Sequence, residues 1–320
     1  MLLQVKQSLA SNDRTIISIF VNPAQFAPHE DLDTYPRTLS EDLMLLDSTS
    51  ISLPSPSGDH STPVIRKPSA VFLPTVRDMY PSGIAQNVAD QKGSFIEVKG
   101  YSHQMEGKSR PTFFRGVATV VAKLFNAVQV SENSSGYPLY LKRSDARREP
   151  TRAYFGQKDI QQALLIRRMC GDLLLSHPLP GNLRIVPTYR SSIDGLALSS
   201  RNAYLTAAGR EVANVLYQSL CIGEQAWKGG GGREGAVAAA VEHIVKVKRI
   251  VEADKEHGAE LPIVLDYIEM NDPESFEVVD WDTKEGDGRP VVLSGALWVG
   301  HTRLIDNIIL GDVEKNILSY

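Results

Sequence analysis

Three polar stretches carry residue types suited to binding a phosphorylated ligand. The first is YFGQKDIQQ, residues 154–162. Gly156 lets a ligand approach the backbone closely. Lys158 can contact phosphate as a point charge. The free N–H groups of a helix start favour an anion in the same place. Asp159 can cap that helix, or accept from a ribose hydroxyl or an amine. The second is DGLALSSRNAYL, 194–205. There Ser199, Ser200 and Asn202 surround Arg201, which suits a clamp on phosphate oxygens. The third is SIFVNPAQFAPHEDLDTYPRTLSEDL, 18–43, in which Tyr35 and Arg37 follow the turn. Asn22 and Gln25 flank Pro23 at the end of an apolar run, and their amides can bind a carboxylate or hydroxyls without adding charge. Each stretch taken alone also reads as ordinary structure: a solvated lysine, a serine-capped loop, a polar turn.

These stretches need rigid elements behind them. Apolar runs at 15–21, 69–74 and 183–189 have strand character, and RAYF or YPLYL supplies another strand before Lys158. Helical spacing appears at 2–10, 38–46, over 114–128, and again from Lys158. Strand and helix alternating in this way predict an α/β fold, a parallel sheet with helices on both faces. Ligands then sit at the carboxyl ends of the strands. After Arg201 the texture changes. Helices at 206–221 and 235–253, joined by a KGGGGREG loop, precede strands at 263–270, 289–300 and 303–310. We expect a Rossmann-like domain over 1–189 and a smaller α+β domain over 190–320. The Pro- and Ser-rich segments 48–69 and 131–151 read as surface insertions.

The 320 residues suit about two domains. A net charge of −4 gives no reason to expect nucleic acid or an anionic membrane as partner. No apolar run approaches the roughly 20 residues of a membrane helix. The two cysteines, Cys170 and Cys221, read as reduced core thiols of an intracellular protein. The seven histidines show no zinc-ligand spacing, so no protein-ligated metal is expected. Gly230, Gly232 and Gly235 fit G-x-G-x-x-G, but a helix precedes them where a dinucleotide site requires a strand.

Taken together, SIFVNPAQF, DLDTYPRTLSEDL, MYPSG, SRP, FRGVATVVAKLFN, AYFGQKDIQQ, DGLALSSRNAYL, LDYIEM and TRLIDN resemble, in order, the pantothenate synthetase (pantoate–β-alanine ligase) family. The two insertions, and Phe113 where that family often has histidine, resemble a eukaryotic branch. The resemblance implies a nucleotidyltransferase-type Rossmann domain with a C-terminal lid. It implies ATP-dependent joining of pantoate to β-alanine through a pantoyl-adenylate, with Mg²⁺ carried on the ATP phosphates. By motif position, Gly156, Gln157, Lys158, Asp159, Tyr189, Leu198, Ser199, Ser200 and Arg201 would bind ATP, with Lys158 and Arg201 catalytic. Asn22, Gln25 and Gln162 would bind pantoate, Gln25 lying near β-alanine as well. Gln157 stands where glutamate is usual, at a position expected to act through its backbone. A cytoplasmic homodimer is also implied. The family's opening strand and its HxGH-type loop find no match, and residues 1–10 resemble the helix that follows them. The expectation is a truncated ligase; the alternative is a catalytically dead pantoate- or nucleotide-binding homologue.

Overall fold

The computed structural model describes residues 2–26, 32–54, 62–128, 152–253, 261–311 and 317–318. The segment 131–151, with the YPLYL alternative for a strand, lies outside the described residues.

Helix α1 (Leu2–Ser11) packs Val5 and Leu9 against Ile17 and Leu46. Strand β1 (Ile16–Ser18) and helix α2 (Leu39–Ser48) follow. Next come β2 (Ile51–Leu53) and β3 (Val64–Arg66), an antiparallel pair with Ile51 opposite Arg66. The segment 48–69, expected as a surface insertion, thus carries two paired strands among its described residues. Its two strands are three residues each, too short to stand out among the serines and prolines. Strand β4 (Ala70–Phe72) pairs in parallel with β1.

Two short helical turns, α3 (Val76–Met79) and α4 (Glu106–Ser109), lead to α5 (Phe113–Ala127). The 3.6-residue spacing of α5 buries Phe114, Val117, Val120 and Val121. Strand β5 (Ala153–Gly156), helix α6 (Ile160–Asp172) and strand β6 (Leu183–Val186) form a parallel crossover unit. Val117 and Ala118 of α5, Ile166 and Met169 of α6, and Leu183 and Ile185 of β6 share one core. Among the described residues the expected parallel sheet stands as two pairs, β1–β4 and β5–β6. Asn12 links them by donating to the Tyr154 hydroxyl at 2.8 Å.

The remainder holds α7 (Ala207–Val212), α8 (Val215–Ala226), α9 (Gly232–Ala253) and an antiparallel meander, β7 (Ile263–Asn271), β8 (Val291–Val299) and β9 (Thr302–Leu310). The helix expected over 206–221 is two helices, broken at Ala213–Asn214. The glycine connector is shorter than its composition suggests. Gly230 takes φ 86°, a conformation open to glycine, and α9 starts two residues later. Leu216 and Leu220 of α8, Ala236, Ala240 and Ile244 of α9, and Met270, Leu293 and Leu297 of the sheet form a second core.

Candidate active site

Gly156 ends β5, and Gln157–Asp159 make a 3-10 turn before α6 begins at Ile160. Lys158 and Asp159 thus precede the helix rather than occupy its first turn. Asp159 makes no side-chain cap hydrogen bond. Its carboxylate lies 3.4 Å from Lys158 Nζ. Bonds from β9 accompany the tight turn: Asn307 Nδ2 donates to the Gln157 carbonyl at 2.9 Å and to the Lys158 carbonyl at 3.0 Å. Gln157 Nε2 donates back to Asn307 Oδ1 at 3.3 Å.

The clamp loop is built from Tyr189 to Tyr204. Leu198 N donates to the Tyr189 carbonyl, and Arg190 bridges Ala197, so the loop doubles back on itself. Ser199 Oγ accepts from Arg201 N at 3.3 Å and starts the 3-10 turn Ser200–Tyr204. Asn202 is buried and donates to the Ala197 carbonyl. Ser200 Oγ lies 2.7 Å from the Tyr35 hydroxyl, and Tyr204 donates to the Thr34 carbonyl. The loop root is fixed by Arg190, which donates to both oxygens of Asp306 at 2.7 and 2.8 Å and covers the Tyr217 ring. Burial opposes the Arg190 charge, yet the Asp306 carboxylate more than offsets it and raises the pKa.

After β1, Pro23–Gln25 form a 3-10 turn. Asn22 is buried with its amide spent inside the protein. Its Oδ1 accepts from Ala24 N and the Tyr80 hydroxyl, and its Nδ2 donates to the Gly116 carbonyl. Burial pushes the Tyr80 phenol up to about 12, against the bond to Asn22. The turn rests on α5 because position 116 is glycine; a Cβ there would fall 2.4 Å from the Ala24 carbonyl oxygen. Gln25 is half-buried, and its carbonyl accepts from Arg110 at 2.9 Å.

One network carried no signal in the spacing. Arg303 of β9 donates to both oxygens of Glu106 at 2.7 and 2.9 Å and to Asp266 at 2.7 Å. Tyr267 donates to Glu106, and Lys108 pairs with Glu269. Gln161 closes the set by donating to the Gln104 carbonyl and accepting from Glu106 N. Burial works against the Arg303 charge, but Glu106 and Asp266 raise its pKa overall. Burial, then the Glu106 charge, raises the Tyr267 phenol well above its ordinary value.

Two adjoining cavities share Arg201 and Arg303. Lys158, Ser199, Arg201, Tyr217 and Asp306 help line a narrow one of ≈ 30 Å³. Arg110, Arg201, Tyr204, Trp298 and His301 help line a cleft of ≈ 580 Å³, within the size range of small-molecule sites. Lys158, Ser199 and Arg201 are therefore brought together from two segments. Gln25 and Gln162 line neither cavity, and Gln162 is half-buried on α6. Among the described residues no group of three His, Cys, Asp or Glu side chains could hold a metal ion.

Comparison with known proteins supplies the rest. A model of the pantoate-beta-alanine ligase family matches residues 2–137 and 146–309. The chain is 35% identical over 315 residues to the pantoate–beta-alanine ligase of Saccharomyces cerevisiae, covering 96% of this chain and 86% of that one. It is 40% identical over 299 residues to a pantothenate synthetase of Moorella thermoacetica, covering 93% and 82%. A crystal structure of pantothenate synthetase from Thermus thermophilus superposes with TM-score 0.69 at 33% identity, covering 96% of this chain and 87% of that one. The pantoate-beta-alanine ligase from Francisella tularensis, complexed with beta-gamma ATP and beta-alanine, superposes with TM-score 0.59 at 26% identity, covering 96% and 84%.

Proposed function

The chain belongs to the pantoate–β-alanine ligase family, and from that premise we propose how its residues divide the work. The reaction is the ATP-dependent condensation of pantoate with β-alanine, on a nucleotidyltransferase-type α/β fold. A pantoate carboxylate oxygen attacks the α-phosphorus of ATP. The bond to the leaving phosphates breaks, giving pantoyl-adenylate and pyrophosphate. The unprotonated amine of β-alanine then attacks the acyl carbon. The bond to the AMP oxygen breaks, and the amine nitrogen loses a proton as the amide forms. Neither step requires a protein nucleophile. What matters is alignment of the reactants and neutralisation of charge on the phosphates.

We assign that neutralisation to Lys158 and Arg201. Gly156, Gln157, Asp159, Tyr189, Leu198, Ser199 and Ser200 hold the nucleotide around them. Gln25 and Gln162 take pantoate, with Gln25 reaching β-alanine. Asn22 acts one step back: its amide is committed to Ala24, Tyr80 and Gly116, so it builds the turn that presents Gln25. The observation that carries this reading is the convergence of Lys158, Ser199 and Arg201 on one cavity. That cavity holds only ≈ 30 Å³ and adjoins the ≈ 580 Å³ cleft through Arg201 and Arg303, so the cleft offers the room that the rest of the nucleotide needs. A Mg²⁺ ion fits as a passenger on ATP. The carboxylate of Asp159, 45% exposed beside Lys158, offers the small protein share that this ion takes next to phosphates and water. Bound there, it would neutralise phosphate charge. We further place the domain division near residue 190 and take the enzyme to be a cytoplasmic homodimer. No helix among the described residues is long and apolar enough to cross a membrane.

The test is AMP formation by the purified chain with ATP, Mg²⁺, pantoate and β-alanine, each omitted in turn. AMP should appear only with all of them present. Lys158→Ala should lower the rate about a hundredfold or more without lowering the melting temperature. AMP release independent of pantoate would refute the reading, and a fully active Lys158→Ala would remove that residue from the site.

A further inference from the structure

Every group assigned above to the nucleotide lies on the β5–α6 turn or in the loop from Tyr189 to Arg201. None lies on the antiparallel meander. Yet β9 reaches the turn that carries Lys158. Asn307 is 3% exposed and sits in the middle of the strand, opposite Ser294. Its amide is almost fully engaged. Two Nδ2 bonds run to the carbonyls of Gln157 and Lys158, and Oδ1 accepts from Gln157 Nε2. The orientation of that amide follows from its partners. Two carbonyl oxygens can only accept, so the NH₂ group must face them.

The consequence for Lys158 is geometric. The only soft backbone joints at Lys158 are φ and ψ, which set the two rigid peptide planes on either side of its Cα and so aim the side chain before χ1. The Gln157 carbonyl belongs to the first plane and the Lys158 carbonyl to the second. One amide group holding both carbonyls restricts both planes, and with them the direction of the Cα–Cβ bond. That directs the flexible Lys158 stem toward the cavity it lines with Ser199 and Arg201. The neighbouring Asp306 holds Arg190 at the root of the clamp loop by a bidentate pair. Adjacent residues of one strand thus anchor both sides of the cavity.

We infer that Asn307 is a positioning residue for the nucleotide, acting through Lys158 from outside the binding segments. This rests on the assignment of Lys158 to the ATP phosphates. Replacing Asn307 with aspartate would set a carboxylate against two carbonyl oxygens. Replacing it with serine would keep one donor in a smaller side chain.

The experiment compares Asn307→Asp and Asn307→Ser, each alone and combined with Lys158→Ala. The readouts are the melting temperature, the Kd of a non-hydrolysable ATP analogue, and pantoate-dependent exchange of pyrophosphate into ATP. For folded Asn307→Asp we expect analogue binding about tenfold weaker and exchange slowed by a similar factor, with Asn307→Ser intermediate. In the Lys158→Ala background the same change should weaken binding clearly less, by about threefold at most, because the side chain being aimed is gone and only the Gln157 share of the turn remains. Equal losses in both backgrounds would overturn the inference. So would binding and exchange within about twofold of wild type in both variants, or losses that follow only the unfolded fraction. The Lys158→Ala single variant reports separately on the premise. If it binds the analogue as wild type does, the phosphate assignment of Lys158 fails, and the inference falls with it. If it binds weakly while Asn307→Asp binds normally, the assignment stands and the positioning role alone is refuted.

Discussion

The two halves of this molecule solve the problem of rigidity differently. Strands β7, β8 and β9 are nine residues each and pair along almost their whole length, with one irregularity between Leu265 and Tyr267. Strands β1, β4, β5 and β6 are three or four residues long and pair only two by two among the described residues. The turns that present Gln25 and Lys158 both follow these short strands. Long ladders resist local opening, and short ones with exposed ends open more readily. The turn carrying Lys158 and the Glu106 segment are each tied by side chains sent across from the long-stranded half. Asn307 grips the Lys158 turn, and Arg303 grips Glu106. On the proposed assignment the meander contributes a frame for the nucleotide-binding turn, with Arg303 of β9 at the edge of both cavities.

Removing the strongest of these tethers should have the largest effect. Arg303→Met leaves Glu106 and the part-buried Asp266 without their shared cation, and the Glu106 and Arg303 side chains are only 11% and 10% exposed. Breaking a buried pair from one side costs about 3–5 kcal/mol, measurable by urea unfolding. Glu106→Gln added to Arg303→Met should recover part of that loss, because one unpaired charge disappears. A loss under about 1 kcal/mol, the worth of a surface pair, would mean the halves do not depend on this network.

A smaller effect should follow from disturbing the short-stranded half itself. Gly116→Ala places a Cβ against backbone atoms of the Asn22–Gln25 turn, at 2.4 Å from the Ala24 oxygen and 3.0 Å from Gln25 N. Overpacking of this kind costs about 1–3 kcal/mol. The displaced turn should raise KM for pantoate about tenfold, since misplacement by an ångström is expensive, and leave KM for ATP nearly unchanged. An equal rise for both substrates would show that the two turns are not held independently.

How much of this can be read from the chain follows the same division. The helical spacing of α5 and the strand character of β7, β8 and β9 are plain, because periodicity is local. Lys158, Arg201 and Gln25 stand out because small polar and charged residues cluster after apolar runs. The β2–β3 pair is hidden by the brevity of its strands. The 3-10 turn at Gln157–Asp159 reads as a helix start because local spacing does not record bonds from β9. Tethers such as Glu106–Arg303 and Lys158–Asn307 join residues far apart in sequence, and no spacing rule reaches across that distance. One trace is present. Asp306-Asn307 interrupts RLIDNIIL, and a polar pair inside a buried strand must find partners. It is a sign of a tether without a sign of what it ties.

The smallest effect concerns the long-stranded half and its response to acid. His243 of α9 contacts Ser219 of α8, with Nδ1 2.9 Å from the hydroxyl oxygen. The Ser219 hydroxyl donates to the Val215 carbonyl, so His243 supplies the proton of their shared bond. Burial, and then the charge of Lys246, lower the His243 pKa below 6.5. As pH falls, the unfolded chain therefore takes up this proton before the folded chain does. The stability associated with a neutral His243 is complete above the unfolded value. It declines as pH drops from there through the lower folded value. Melting temperatures at about pH 7.5 and about pH 5.5, on either side of the ordinary histidine value, should show wild type losing more than His243→Gln, which keeps an amide donor for Ser219. The difference should be smaller than the loss from Gly116→Ala, because the imidazole is only partly buried. Equal acid sensitivity in the two proteins would assign the effect to other groups. A larger loss in wild type would place an acid-sensitive contact in the half that otherwise supplies the frame.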